Sequence, residues 1–477
     1  MEAEPLSQST ELRATPRRAA ARVSVVMALE AGGLLRAWML SKFFEANGDT
    51  LVYGGIAKNL LSLGRFALTL GSGEVFPTLI RLPGYPVFLA GCFRLFGIDN
   101  YGAVAWVQIV LELAGCLLLS DFARLIAPPK LKAGAAQATL WLAALCPFTA
   151  VYAITPLTEG PTLFAIALAL WAAARFQERP GWGSALWFTF AVIFAALLRP
   201  DGALAAVALA PALLAGVRKG GAGTSVARSR IVRIALVCAL LALTPFAVWT
   251  VRNWRVFHVF EPLVPASATD PGDPVYSGFD DWVKTWCLDF VCTYQVYWNV
   301  PGDTLDIGKV AGRAFDTPAE RKETAALFDA YNDNGFNMTP EIDAGFARLA
   351  RERAAGHTLR SHVGLPLGRV ADMWLRPRVE NLPIDLDWWV YAHHHVETRF
   401  SWAYAGLNAF YLLLGVAGLC LRPRMWTWML VYMLLRSAML LTVPAPEARY
   451  TLECFPMLFA LGGVAVSAMK HGIANRD

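Results

Sequence analysis

The chain has 477 residues, 56% hydrophobic and only 17% charged, with a net charge of +5. Soluble domains carry about 25% charged residues, and apolar runs near the roughly 20-residue spanning length recur along most of this chain, so composition excludes a soluble fold and points to an all-α polytopic membrane protein. The positive balance is not a nucleic-acid signal, because the basic residues sit mainly between apolar runs, where they fix orientation.

Residues 1–22 form a polar, basic tail whose Arg13, Arg17, Arg18 and Arg22 hold it in the cytoplasm, so that residues 23–41 run outward as a first span. No small-residue cleavage site follows that run, which reads as a retained anchor rather than a signal peptide. The first outer loop then extends over 42–101. In GDTLVYGGIAKNLL, apolar Val52, Ile56, Leu60 and Leu63 recur at helical spacing, so Asp49 opens an amphipathic helix lying along the interface. In PTLIRLPGYPVFLAG, Arg81 precedes a proline-rich turn. The segment Pro83–Gly97 is short, starts at prolines and carries Arg94, which reads as a juxtamembrane or re-entrant helix. The loop is therefore expected to hold two membrane-hugging helices with Asp49 and Arg81 just above the lipid, a layout suited to an enzyme that takes its substrate from the bilayer.

Spans at 102–125, 135–153, 159–176, 184–198 and 203–217 alternate back from the basic loop VRKGGAGTSVARSRIVR, whose Arg218, Lys219, Arg228, Arg230 and Arg233 place it in the cytoplasm together with Lys130 and Lys132. Residues 23–251 thus form an N-terminal transmembrane module ending in a span at 231–250. A polar stretch at 252–402 follows, large enough for a small extracytoplasmic domain. Thr317-Pro318 and Thr339-Pro340 each resemble an N-cap followed by a first-turn proline, starting helices near 318–331 and 340–355. The basic-amphipathic LRSHVGLPLGRVADMWLRPR returns the chain to the membrane surface. Final spans at 403–421, 425–442 and 451–469 lie within a C-terminal module at 403–470, with Arg422, Arg424 and Lys470 inside and a cytoplasmic tail at 471–477. Trp388, Trp389 and Trp402 mark the outer interface, Trp426 and Trp428 the inner one. The total is about ten helical spans, without an internal repeat. Cys287 and Cys292 sit in a polar region where they could pair; the other six cysteines lie in or beside apolar runs as packing residues.

This topology leaves Asp49, Glu74, Arg81, Glu159, Arg199, Asp201, Arg252, Asn253, Glu447, Arg449 and Tyr450 at the outer face. Loops are polar by default, but convergence of both charge signs on one leaflet favours a site for a charged substrate.

GDTLVYGGIAKNLLSLG, RLPGYPVFLAG, ITPLTEGPTLF, LLRPDGAL, VWTVRNWRVFHVF and PEARYTLECFPMLFALGG resemble, in order and over nearly the whole chain, the signature segments of one family. It is the membrane-embedded GT-C glycosyltransferases related to protein O-mannosyltransferases and the lipid A aminoarabinose transferase, the family 39-like enzymes. The resemblance implies a GT-C helical bundle, a polyprenyl- or dolichyl-phosphate sugar donor and inverting transfer on the extracytoplasmic side. It matches Asp49 to the first-loop catalytic acid and Glu159 to the second acidic position. Arg81 resembles the basic residue before the proline-rich turn. Asp49 is followed by Thr50 where eukaryotic mannosyltransferases have an acidic neighbour, which weakens the case for a protein hydroxyl acceptor. The expected setting is a bacterial inner membrane with the site facing outward.

The chemistry reads the same way without the family. A sugar on a lipid phosphate already has a good leaving group, so cations replace the general acid, and arginine binds phosphate oxygens bidentately. Inversion needs one carboxylate on the opposite face to take the acceptor's proton, whereas glycosidases need two because their leaving group must be protonated. Asp49 is the candidate base, and Arg81, Arg252 and Arg449 are the candidate donor-phosphate ligands; the resemblance adds Glu159 as the second catalytic acid. Tyr53, Tyr85, Arg199, Glu447 and Tyr450 are candidate lining residues. Expected partners are a polyprenyl-phosphate sugar, membrane lipids and an acceptor of unassigned type, with no nucleic acid. No cofactor is expected: His393, His394 and His395 are adjacent in a loop and define no metal site.

Each residue has a plainer reading. Asp49 can simply cap its helix, Glu159 can sit at a helix start for the dipole, and the arginines can contact headgroups. Glu112 and Arg436 fall inside spans and are expected to pair structurally. The competing functions are a polyprenyl-linked glycolipid transporter or flippase, which would gather polar groups at the midplane, and a non-catalytic partner of an envelope polysaccharide complex, which would not need Asp49.

Overall fold

The computed structural model describes residues 8–219, 225–265, 269–384 and 394–474. Trp388, Trp389 and His393 lie outside them. The described residues are mostly helical and form two compact units, one built from 1–265, 411–432 and 453–477, the other from 266–410 and 433–452.

The first unit starts with α1 (Gln8–Phe43) and α2 (Asp49–Leu63), followed by strands β1 (Ala67–Thr69) and β2 (Val75–Pro77). Then come α3 (Gly84–Phe96), α4 (Tyr101–Ile126), α5 (Lys132–Ala144), α6 (Pro147–Ile154), α7 (Glu159–Glu178), α8 (Trp182–Leu198), α9 (Leu204–Lys219) and α10 (Ser225–Phe257). Helix α4 packs on α5 and α7, and α7 on α8 and α9. The closing helix α18 (Phe455–Ala474) lies along α5. At Gly463 a Cβ would stand 2.7 Å from the Ala135 carbonyl oxygen, so only glycine allows the two backbones to approach this closely.

Among the described residues five helices are long and apolar enough to cross a membrane: Ala19–Phe43, Tyr101–Ile126, Ser229–Phe257, His395–Cys420 and Ala448–Gly472. The pair α5 and α6 makes a sixth if counted as one bent span. The protein is therefore an integral membrane protein, with five or six helices among the described residues that meet the length and apolarity of a crossing. The other expected spans are helical too. Helices α8, α9 and α17 (Trp426–Leu440) have only 17, 16 and 15 residues, about 23–26 Å at 1.5 Å per residue against a hydrocarbon core of about 30 Å. Helix α7 carries Glu159, Arg175 and Glu178 toward its ends.

Three features differ from the expectation in detail. The span expected at 135–153 is two helices bent by 53°, because Pro147 starts α6 and has no N–H with which to continue α5. The first outer loop holds the β1–β2 hairpin besides its two helices, with Ala67 opposite Pro77 and Thr69 opposite Val75. Its Gly71-Ser72-Gly73 turn is a hairpin signal rather than a helical one. Finally, Glu112 pairs with Arg36 of α1, not with Arg436. Arg36 also donates to the Ala144 and Gly32 carbonyls at 2.7 and 2.8 Å. The guanidinium thus neutralises a buried acid and satisfies a carbonyl at the end of α5 together. Arg436 donates instead to the Tyr450 carbonyl at 2.8 Å.

The second unit holds α11 (Ser277–Lys284), α12 (Phe290–Gln295), α13 (Pro318–Asp333), α14 (Pro340–Gly356), α15 (Leu365–Leu375) and the first part of α16 (His395–Cys420). Thr317 and Thr339 cap α13 and α14, accepting from the Glu320 and Ile342 N–H at 3.1 and 3.3 Å, and each proline occupies the first turn. The core gathers Phe279, Trp282, Trp286, Phe328, Tyr331 and Phe346. Buried Arg353 ties α14 to Glu320 of α13 at 2.5 Å, and Cys287 and Cys292 form a disulfide.

Candidate active site

Helix α2 starts at Asp49 with Gly48 at its N-cap, and no side chain caps it. The Asp49 carboxylate is therefore not spent on the helix. It accepts instead from Arg81, Nη2 to Oδ1 at 2.6 Å, with the two side chains 42% and 22% exposed respectively. Several contacts fix this pair. Thr50 donates to the Pro156 carbonyl at 3.1 Å, docking the start of α2 on the α6–α7 link. Buried Asn59 donates to the Ala67 carbonyl and the Thr69 hydroxyl, at 2.9 and 3.1 Å, and so ties the hairpin to α2. The hairpin leads into Thr78–Leu82, where Leu79 and Leu82 on either side of Arg81 pack against Trp249 of α10.

Arg252 stands under the same segment. Its guanidinium lies 5.0–5.4 Å from the rings of Trp249, Phe257 and Phe66 and donates to the Phe66 carbonyl at 2.7 Å. Its contacts hold the loop that carries Arg81.

The Arg81 guanidinium sits 5.5 Å from the Tyr53 ring, and Tyr53 meets Tyr85 edge-on at 5.0 Å. Burial above all pushes the Tyr53 phenol up to about 12, against the opposing pull of Arg81. Burial also raises Tyr85, whose hydroxyl donates to Gln108 Oε1 at 2.8 Å. Both phenols therefore remain hydrogen-bond donors at any physiological pH. Gln108 in turn donates to the Thr155 carbonyl at 2.7 Å, linking the tyrosines to the turn that leads into α7.

A second cluster gathers around Arg199, the residue closing α8. It donates to Glu159 at 2.8 Å and lies 3.2 and 3.3 Å from Glu453 and Asp201. The RPDG turn brings Asp201 back onto Arg199, and it is tight enough that a Cβ at Gly202 would stand 2.2 Å from the Ala195 carbonyl oxygen. Glu159 and Glu453 are 3% exposed, and Tyr432 donates to Glu453 at 3.2 Å. One guanidinium is thus shared by three carboxylates in a nearly dry setting. The pull on Tyr53 comes from both clusters, from Arg81 and Asp49 and then from Glu159 and Arg199. In the second unit, Arg449 and the Tyr450 hydroxyl both engage Glu447 at 2.5 Å.

No family model matches the chain, and no curated protein does. Among solved structures it is similar to an archaeal oligosaccharyltransferase from Archaeoglobus fulgidus. In its form AglB, in complex with an inhibitory peptide and a dolichol-phosphate, the match covers 97% of this chain and 52% of that one, with 10% identity and a TM-score of 0.48. A structure of the Archaeoglobus fulgidus oligosaccharyltransferase tethered with an acceptor peptide containing the NVT sequon matches 95% of this chain and 50% of its own, with 13% identity and a TM-score of 0.46. The chain spans about half the length of these structures.

The structure thus brings Asp49 together with Arg81 and Tyr53, and Glu159 with Arg199. Glu453, Tyr432 and Gln108 were not singled out from the sequence. Glu453 carried a usable signal, since an acid beside the apolar run FPMLFALGG is costly unless partnered. Among the described residues no group of three or more His, Cys, Asp or Glu side chains is arranged to hold a metal ion.

Proposed function

We propose that the protein is an inverting glycosyltransferase that moves a sugar from a polyprenyl-phosphate donor to an acceptor hydroxyl or amine at the extracytoplasmic membrane face. The observation that carries this reading is the Asp49–Arg81 pair: a half-exposed carboxylate, unused by its own helix, held by a guanidinium on a separately braced loop. The ordered signature segments resembling GT-C transferases agree with it.

The pair suggests an exchange. A donor phosphate is a stronger bidentate partner for Arg81 than one carboxylate oxygen is. Its arrival draws the guanidinium away and releases Asp49 when substrate is present. The acceptor then attacks the anomeric carbon, its proton passes to Asp49, and the bond from that carbon to the phosphate oxygen breaks. The electron pair stays on the departing polyprenyl phosphate, stabilised by Arg81. Tyr53, kept protonated beneath Arg81, is placed to donate to the same phosphate. Glu159, almost fully buried against Arg199, serves as a positioning residue, and Arg252 does so through the Arg81 loop.

Transfer of radiolabelled sugar from a polyprenyl-phosphate sugar in proteoliposomes of the purified chain tests the reading. New glycosidic product supports it. Movement of the intact lipid-linked sugar between leaflets without bond formation would make the protein a flippase.

A further inference from the structure

At the opposite end of α7 and α8 from Glu159 and Arg199 lies an open cavity of about 370 Å³, lined by Trp171, Arg175, Arg179, Gly183, Ser184 and Trp187. By charge asymmetry this turn faces the cytoplasm, away from the site described above. We propose that the cavity holds the headgroup of an anionic phospholipid of the cytoplasmic leaflet.

The lining carries two guanidiniums and no acid. Asp121, outside the lining, is already engaged: Arg175 and Arg124 approach it at 2.5 Å and the Trp171 indole N–H at 2.9 Å. Arg175 is thereby held 5.6 Å from the Trp171 ring. Glu178, the other acid of the turn, faces Arg424 at 3.6 Å. Exposed Arg179 has no ion-pair partner among the described residues. A fixed guanidinium beside a free one, flanked by two indoles, fits a phosphodiester.

What distinguishes a lipid from a soluble phosphate is the surface beyond the cavity. Leu186, Trp187 and Phe190 of α8 are 44%, 52% and 49% exposed. Trp187 meets Phe190 edge-on at 6.1 Å, and Phe190 stacks on Phe194 at 5.8 Å. This aromatic rail continues from the cationic cavity along the helix toward the bilayer interior, where acyl chains would lie.

Native mass spectrometry of the full chain, supplied with equimolar phosphatidylglycerol and phosphatidylcholine, tests the assignment. Wild type should retain phosphatidylglycerol preferentially. Arg179→Glu should weaken that retention about tenfold, as loss of a charge-assisted contact does, and leave phosphatidylcholine unchanged, while Arg179→Lys should keep most of it. Because Arg179 is exposed at a helix end, these variants should elute and fold as wild type, which circular dichroism checks. Equal retention of the two lipids by wild type, or undiminished phosphatidylglycerol binding by Arg179→Glu, overturns the proposal. So does displacement of the lipid by an equal concentration of glycerol 3-phosphate, which would make this a soluble-anion site.

Discussion

Asp49→Asn separates structure from chemistry because the structural cost of the change can be bounded. The carboxylate caps no helix, and among the described residues its side-chain bond is to Arg81, in a pair whose members are 42% and 22% exposed. Ion pairs at such exposure contribute about 0–1 kcal/mol, so the variant should fold and insert as wild type. A positioned general base contributes about 10²–10⁴-fold, roughly 2.7–5.4 kcal/mol of barrier, far more than the pair can supply through stability. Donor affinity gives a second, opposite sign. Without its internal carboxylate partner, Arg81 is freer to take a phosphate, so donor binding should hold or tighten, by up to about fivefold if the whole pair energy is recovered. The assay is single-turnover sugar transfer by purified Asp49→Asn, with donor affinity measured in parallel on the same preparation. Transfer within tenfold of wild type removes Asp49 as the base. A fall in donor affinity removes the exchange between carboxylate and phosphate.

Arg81→Ala should weaken donor binding about 10–100-fold and Arg81→Lys only part of that, because lysine lacks the bidentate fork; unchanged affinity in both would leave Arg81 a headgroup contact. Arg199→Ala removes the guanidinium shared by the 3%-exposed Glu159 and Glu453 and should destabilise the fold by about 3–5 kcal/mol, read as a large drop in thermal midpoint in detergent. Thr339→Ala should cost about 1 kcal/mol through loss of the α14 cap, visible as a small shift in the same scan. Burial pushes the Asp280 carboxyl up to about 6, so the folded state holds a proton that the unfolded state has released. Stability from this group is present below about pH 4 and is lost as pH rises through 6. Asp280→Asn should therefore stabilise at pH 7 and flatten that slope, and an unchanged pH profile would count against it. Labelling of a cysteine at Asn100 with an impermeant reagent, in a background where the exposed Cys420 is serine, should occur only from outside if α3 does not cross.

The helices at 318–333 and 340–356 were legible because Thr-Pro carries its own stereochemistry, an acceptor for the first turn followed by a residue with no N–H to waste. Asp49 was legible as a helix start, but not its partner, since nothing local encodes a contact 32 residues away. The Glu112 pairing failed for the same reason: two arginines lie within apolar helices, and only packing decides which one meets the acid. Arg252 shows the converse. Its position at an interface suggests phosphate, but its contacts with three aromatic rings and the Phe66 carbonyl are set by packing that the sequence does not display. The β1–β2 hairpin was passed over because its strands are three residues each, below the length at which alternation stands out.

The buried pair of Arg36 with Glu112 also sets a timetable for biogenesis. The partners are 76 residues apart, so at about 5–20 residues per second the ribosome delivers the acid roughly 4–15 s after the arginine. Throughout that interval the first helix carries an uncompensated guanidinium, at about 2.5–3.5 kcal/mol on insertion scales. The nascent anchor is thus best retained beside the translocon until the fourth helix emerges, and the two enter the lipid together. A chain truncated before Glu112 should leave its first segment poorly integrated and extractable by alkali, while extension past that residue should lock it in place.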